Sequence, residues 1–183
     1  WACSALREGT LCRSEAGMLR RELIHGTGIG LAYLVWHFAT FAFGWHENGL
    51  ALLQGVLFGG IAVIGIGCIW SLSAMVLKDR SVEMAEALRS GLIMAVVVAL
   101  WAMLGQFLYL KVLHPAYSEY LVEMVRQHYA QGGTPVEEIE PITEQARIDF
   151  GQGPMIRQSG LGAFLTGAIA SALTLLIVRF RLR

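Results

Sequence analysis

The chain has 183 residues, 55% of them hydrophobic and 15% charged, with a mean hydropathy of +0.55. That is long enough for one domain and too apolar for an ordinary soluble one. The 14 basic and 14 acidic residues cancel to zero, so what the charges say lies in their distribution, and nothing in them points to nucleic acid.

From the N-terminus, Trp1 to Gly17 shows no apolar periodicity, whereas Met18 opens a basic Met-Leu-Arg-Arg stretch directly before an apolar run. The natural start is therefore expected at Met18, with residues 1–22 forming a cytoplasmic segment and residues 23–183 a single membrane domain. A bilayer core of about 30 Å is crossed by roughly 20 helical residues. Runs of that kind extend over Leu23–Gly44, Leu50–Leu77, Ser90–Leu113 and Gly160–Val178. The first could be a cleaved signal peptide, but its apolar core from Ile29 to Trp45 exceeds the usual length of about 7 to 15 residues and lacks a small-x-small cleavage site. It reads as an anchor.

Counting Lys and Arg alone, Arg7, Arg13, Arg20 and Arg21 precede the first run, and the His46-Glu47-Asn48 loop carries none. Lys78, Arg80 and Arg89 flank the second and third runs, and Arg179, Arg181 and Arg183 follow the fourth. The positive-inside rule makes these basic regions cytoplasmic, placing both termini inside in a multi-pass membrane protein. Cys3, Cys12 and Cys68 are an odd set split between predicted cytoplasm and membrane, so they are expected as reduced thiols.

In lipid, helices associate through small residues and a few hydrogen bonds. The first run offers Gly26 and Gly30, the second Gly55 and Gly59, the third Gly91 and Ala95, and the fourth Ala163, Gly167 and Ser171. These predict close packing within a four-helix transmembrane bundle, or association with a second copy or another membrane protein. Gly26-Thr27-Gly28-Ile29-Gly30 is not a dinucleotide loop, because Leu31 stands at the sixth position inside an apolar run.

Residues 114–159 are predicted to form an external helical hairpin between the third and fourth spans. Tyr117, Tyr120, Leu121, Met124, Val125 and His128 recur at helical spacing opposite Glu119, Glu123 and Arg126. Gln131-Gly132-Gly133 should end that helix, and Thr134-Pro135-Val136-Glu137 has the form of a capping box with Pro at the first helical position. Pro141 is expected to split or kink the second helix, and Gly151-Gln152-Gly153-Pro154 to close the loop.

Spacing at about 1.5 Å per residue places His37, Gln54, Gln106 and Thr166 at similar depth, in the outer third of the membrane. They form a candidate polar cluster: either an interhelical hydrogen-bond layer, or the lining of a small channel or carrier with His37 as its titratable member. His37 is the only histidine expected well inside the bilayer, which leaves no second axial ligand for haem, and the remaining histidines lack metal-site spacing. No cofactor or metal is expected. The spans contain essentially no Asp or Glu, which disfavours a hydrolase, an ion-coupled transporter, an electron carrier or any other membrane enzyme, so no catalytic residue is assigned. Trp36, Trp45, Trp70, Trp101, Tyr109 and Tyr117 read as interfacial anchors, and Lys111 and Arg157 as snorkelling cations.

Several segments in combination resemble a bacterial family known as the domain of unknown function 4199, small proteins with four membrane spans. They are Gln54-Gly55-Val56-Leu57-Phe58-Gly59-Gly60-Ile61, Ala87-Leu88-Arg89-Ser90-Gly91-Leu92, Tyr117-Ser118-Glu119-Tyr120, Gly133-Thr134-Pro135-Val136-Glu137-Glu138-Ile139-Glu140 and Gly167-Ala168-Ile169-Ala170-Ser171-Ala172-Leu173. The resemblance covers about Leu23 to Arg183 and implies architecture without a reaction. The expected role is a non-catalytic structural or accessory subunit of the bacterial inner membrane, in contact with the bilayer and with a second copy of itself or another membrane protein.

Overall fold

The computed structural model describes the backbone of residues 2–46, 50–78 and 83–181 and the side chains of residues 17, 19–46, 52–77 and 83–178. The Cys3 and Cys12 thiols and the side chains of Arg7, Arg13, Lys78, Arg80, Arg179, Arg181 and Arg183 lie outside the described residues, as do Glu47 and Asn48. The described chain is all helical: α1 (Ala2–Ala42), α2 (Leu50–Lys78), α3 (Met84–Leu108), a π-helical turn (Tyr109–Leu113), α4 (Tyr117–Gln131), α5 (Val136–Asp149) and α6 (Gln152–Arg181).

Three segments are long and apolar enough to cross a membrane: Leu52–Leu77, Met84–Leu113 and Gln152–Val178. Helices suit that environment because every interior N–H and C=O is satisfied within the segment. In α1, His25, Gly26, Thr27, Gly28, Tyr33, Trp36, His37 and Thr40 dilute the apolar character, and it does not reach the same threshold. Even so, α1 runs beside α3 in parallel register. Glu22 meets Ser90, Gly26 meets Val97, Gly30 meets Trp101, Leu34 meets Gly105 and His37 meets Tyr109. The neighbouring seams are antiparallel, with Trp36 over Gly59 and Ile29 against Gly67 between α1 and α2, and Gly91 against Ser171 and Gly167 against Ala95 between α3 and α6.

The core is layered along this bundle. Leu72, Met75, Ala87, Met94 and Leu175 fill one end, Ile29, Ile64, Cys68, Val98, Ala102, Ala163 and Ala170 the middle, and Tyr109, Leu110, Tyr117 and Leu121 the other end. Cys68 is a free, buried thiol. The outward faces carry Val35, Leu57, Phe58, Ile66, Trp70, Leu100 and Leu161, all more than half exposed. A folded chain that turns small residues inward and large apolar ones outward is built for lipid contact.

Three boundaries differ from the sequence expectation. The N-cap of α5 is Pro135, extended at φ −56 and ψ 142, with no side-chain cap, so Thr134 lies one residue too early to close a capping box. Pro141 does not split α5: the bond it omits is to the Glu137 carbonyl in the first, solvent-facing turn, and the helix continues to Asp149. Gly153 and Pro154 do not close a loop but sit in the first turn of α6, where proline's missing N–H costs nothing.

Glycine contacts decide the seams. A Cβ on Gly30 would stand 2.5 Å from Trp101 Cγ, and one on Gly59 would collide with the Trp36 indole, whose Nε1 donates to the Val56 carbonyl at 3.0 Å. Gly55 faces open space. Gly59→Ala should therefore destabilise the protein by about 1–3 kcal/mol through overpacking, while Gly55→Ala is neutral or stabilising by up to about 1 kcal/mol from helix propensity. Paired unfolding curves in detergent micelles check the contrast.

Candidate functional site

The polar and aromatic side chains concentrate where α1 ends, α3 unwinds and α4 begins. The end of α1 is set by Gly44 at φ 69, whose N–H donates to the Phe41 carbonyl at 2.8 Å while Trp45 N–H donates to the Thr40 carbonyl at 3.0 Å. This is the Schellman arrangement, which needs a left-handed residue that glycine supplies without strain. It folds the chain back over its own helix, so that His46 becomes buried with Nε2 3.0 Å from Thr40 Oγ1.

The second contribution comes from the π-helical turn. The His114 N–H donates to the Tyr109 carbonyl at 2.8 Å across five residues, widening the helix. Both Tyr109 and Leu110 are thereby fully buried. Such single-turn insertions recur at functional sites because they re-aim side chains that a regular helix would spread around its surface. Here Tyr109 becomes the hub, with ring centroids 5.0 Å from His37, 5.0 Å from His46, 5.0 Å from Tyr117 and 5.4 Å from Phe41. His114 stands 5.3 Å from Tyr117, and Tyr33 stacks on His37 at 6.0 Å from one turn deeper.

The hydrogen bonds fix one tautomer. The Thr40 hydroxyl donates its single proton to the His37 carbonyl at 2.9 Å, leaving only lone pairs for His46. His46 therefore carries a proton on Nε2 and donates. His37 is 7% exposed, and its Nε2 has no hydrogen-bond partner among the described residues. A buried polar nitrogen without a partner costs about 1–3 kcal/mol, so its retention calls for a reason beyond packing. Among the described residues no three His, Cys, Asp or Glu side chains stand close enough to hold a metal ion.

Of the four residues grouped from sequence, His37 and Gln106 are buried at this end, Gln106 one turn before Tyr109. Gln54 is exposed on α2, and Thr166 donates to the Gly162 carbonyl of its own helix at 2.8 Å. Gly167 packs on Ala95, and the rise from Ala95 to Tyr109 puts Thr166 roughly 20 Å from the His37 level. The structure thus places His37 and Gln106 at the same end as Thr40, His46, Tyr109, His114 and Tyr117; sequence reasoning leaves Tyr109 and Tyr117 as anchors, His46 and His114 as external groups and Thr40 unassigned. A signal for part of this was present: aromatic and imidazole side chains crowd the same end of two spans and the start of α4. The π turn itself has no such signature.

A second buried polar contact lies at the opposite end, where Ser90 Oγ donates to the Glu22 carboxylate, with both side chains buried. Sequence reasoning leaves Glu22 just outside the first span. Of the small residues predicted to pack helices, Gly26, Gly30, Gly59, Gly91, Ala95, Ala163, Gly167 and Ser171 all face neighbours inside the chain, and Gly55 alone of that set is open.

Thr40→Val should cost about 1–3 kcal/mol, because it leaves the His46 Nε2–H buried without its acceptor. His37→Leu should leave stability unchanged or raise it by about 1 kcal/mol, because it removes an unsatisfied nitrogen. Denaturation of both variants in detergent compares the two signs.

No curated protein and no solved structure matches the chain. A family match does exist, described as protein of unknown function (DUF4199), over residues 24–179, and by this match the chain belongs to the DUF4199 family.

Proposed function

We propose that this protein is a four-span structural or accessory subunit of the bacterial cytoplasmic membrane, with α1 as a fourth span, both termini in the cytoplasm and the α4–α5 hairpin outside. The observation that carries this reading is how the buried polar groups are used. Glu22 engages Ser90, Thr40 links the His37 carbonyl to His46, and Ser171 and Thr174 donate to the Gly167 and Ala170 carbonyls. Glu22–Ser90 ties two helices together and the others bond within α1 and its C-terminal turn or within α6, as polar side chains inside a membrane bundle do, and none of these contacts is an acid–base pair. The parallel register of α1 with α3 supports the fourth span, and the loop charge pattern supports the orientation.

Most of the glycine stripes are consumed within the chain, so a protein partner is better met by the hairpin. On α5, Ile139, Thr143 and Ala146 turn inward, while Glu137, Glu138, Glu140, Glu144 and Asp149 are exposed. Such a face suits a basic partner surface. A second reading, a small site for a proton or compact polar ligand, rests on the Nε2 of His37, with Gln106 buried on α3 one turn before Tyr109. As a channel or carrier lining, the wider set of His37, Gln54, Gln106 and Thr166 has less support, because Gln54 and Thr166 lie apart.

Mild-detergent purification from the native host should yield a stoichiometric partner that is lost when Glu137, Glu138 and Glu144 are changed to Lys. Retention of the same partner by the charge-reversed chain would rule out the hairpin as the docking face, and full host function with a partner-free protein would rule out the accessory role.

A further inference from the structure

One concave apolar surface stands apart from the convex lipid-facing belt. A groove of about 730 Å³ runs along α3 between α1 and α6, lined by Leu23, Leu92, Val96, Leu100 and Phe164, with Arg89 as its charged member. From Ala85 to Leu100 it follows α3 for roughly 22 Å at 1.5 Å per residue. One leaflet of the hydrocarbon core is about 15 Å thick, so the groove matches the length of an acyl chain plus the start of its headgroup. Its polar end is basic. Arg89 is exposed there, and Arg20, also exposed, shares the α1 face of Leu23 one turn nearer the cytoplasm. Glu86 does not neutralise this end, since it points with Arg21 into a separate small cavity beside Leu72 and Ser90.

We infer that this groove is a binding site for one anionic phospholipid of the cytoplasmic leaflet, its acyl chain lying along Leu92, Val96 and Leu100 and its phosphate held between Arg89 and Arg20. Charge complementarity selects this occupant over a second protein helix. A helix would need a stripe of small residues to approach closely, whereas this face presents Leu88, Leu92, Val96, Leu100 and Phe164, with Arg89 in its lining and Arg20 on the adjoining α1 face. A basic site at the cytoplasmic edge of transmembrane helices recognises an anionic headgroup through charge, with each arginine near the surface worth about fivefold in occupancy. The inference rests on the membrane reading above.

The test uses the full chain in mild detergent, supplied with phosphatidylglycerol or phosphatidylcholine of identical acyl chains, with retained lipid read by native mass spectrometry. Wild type should retain phosphatidylglycerol preferentially. Arg89→Gln should lower that retention about fivefold and the Arg20→Gln/Arg89→Gln double variant about twenty-five-fold, leaving phosphatidylcholine unchanged. Val96→Trp, which fills the groove, should lower both lipids, and Arg126→Gln on α4 should change neither. Equal retention of the two lipids by wild type, or phosphatidylglycerol retention indifferent to Arg89→Gln, overturns the site. Both arginines are exposed, so their variants report on binding in a folded chain, which circular dichroism checks. Failure of the membrane reading is separate: the protein would then stay soluble when detergent is withdrawn.

Discussion

Close approach of α1 and α3 in parallel register is the constraint on which the rest of the molecule depends. A helix diluted by His25, Tyr33, Trp36, His37 and Thr40 gains little from an apolar surrounding alone, so it must be held by contacts. Those contacts repeat nearly every turn: Gly26 on Val97, Gly30 on Trp101 and Leu34 on Gly105, with α1 supplying the small residue in the first two and α3 in the third. Each end of the seam is then pinned by polar groups, Glu22 with Ser90 at one and the His37–Tyr109 cluster at the other. The remaining helices close around this pair. Trp36 and Ile29 on α1 receive Gly59 and Gly67 of α2, and Gly91 and Ala95 on α3 receive Ser171 and Gly167 of α6.

The two pinned ends differ in kind. The Glu22–Ser90 contact is a single bond between helices, whereas the His37 end joins α1, the π turn and α4 through a continuous set of rings. It exists because two local irregularities coincide: the Schellman turn at Gly44 returns His46 onto Thr40, and the π turn swings Tyr109 beneath it. Movement of the α4–α5 hairpin would therefore be felt at His37. The groove beside Arg89 lies toward the Glu22 end, on the outer side of the same two helices, so groove and helix seam share α3.

Much of the architecture was legible because it follows from runs of apolar residues and from small residues at helical spacing. The glycines at 26, 30, 59, 91 and 167 were readable as packing positions, though which neighbour each would meet was not. Pairing depends on relative rotation of helices, and a pattern within one helix does not encode it. The polar layer shows the limit more sharply. A uniform rise leaves rotation open, so Gln54 faces outward, and α6 begins at Gln152, eight residues before the expected start at Gly160, which sets Thr166 near Ala95 on another level. Nothing in the sequence marks Tyr109, His46 and His114 as one cluster, because a π insertion and a left-handed glycine redirect side chains without changing composition. Local signals near Thr134, Pro141 and Pro154 were real, but a proline in or near the first turn ends nothing.

The most direct test of the α1–α3 seam is disulfide trapping in a chain whose Cys3, Cys12 and Cys68 are changed to Ser. Leu34→Cys with Gly105→Cys puts one sulfur in the space that the leucine side chain fills against Gly105, within reach of the other. Mild oxidation in membranes should give a nearly complete intramolecular crosslink for this pair and none for Gly26→Cys with Gly105→Cys, which lies about two turns out of register. Crosslinking of the second pair in preference to the first would contradict the parallel seam, and the arrangement built on it would fall.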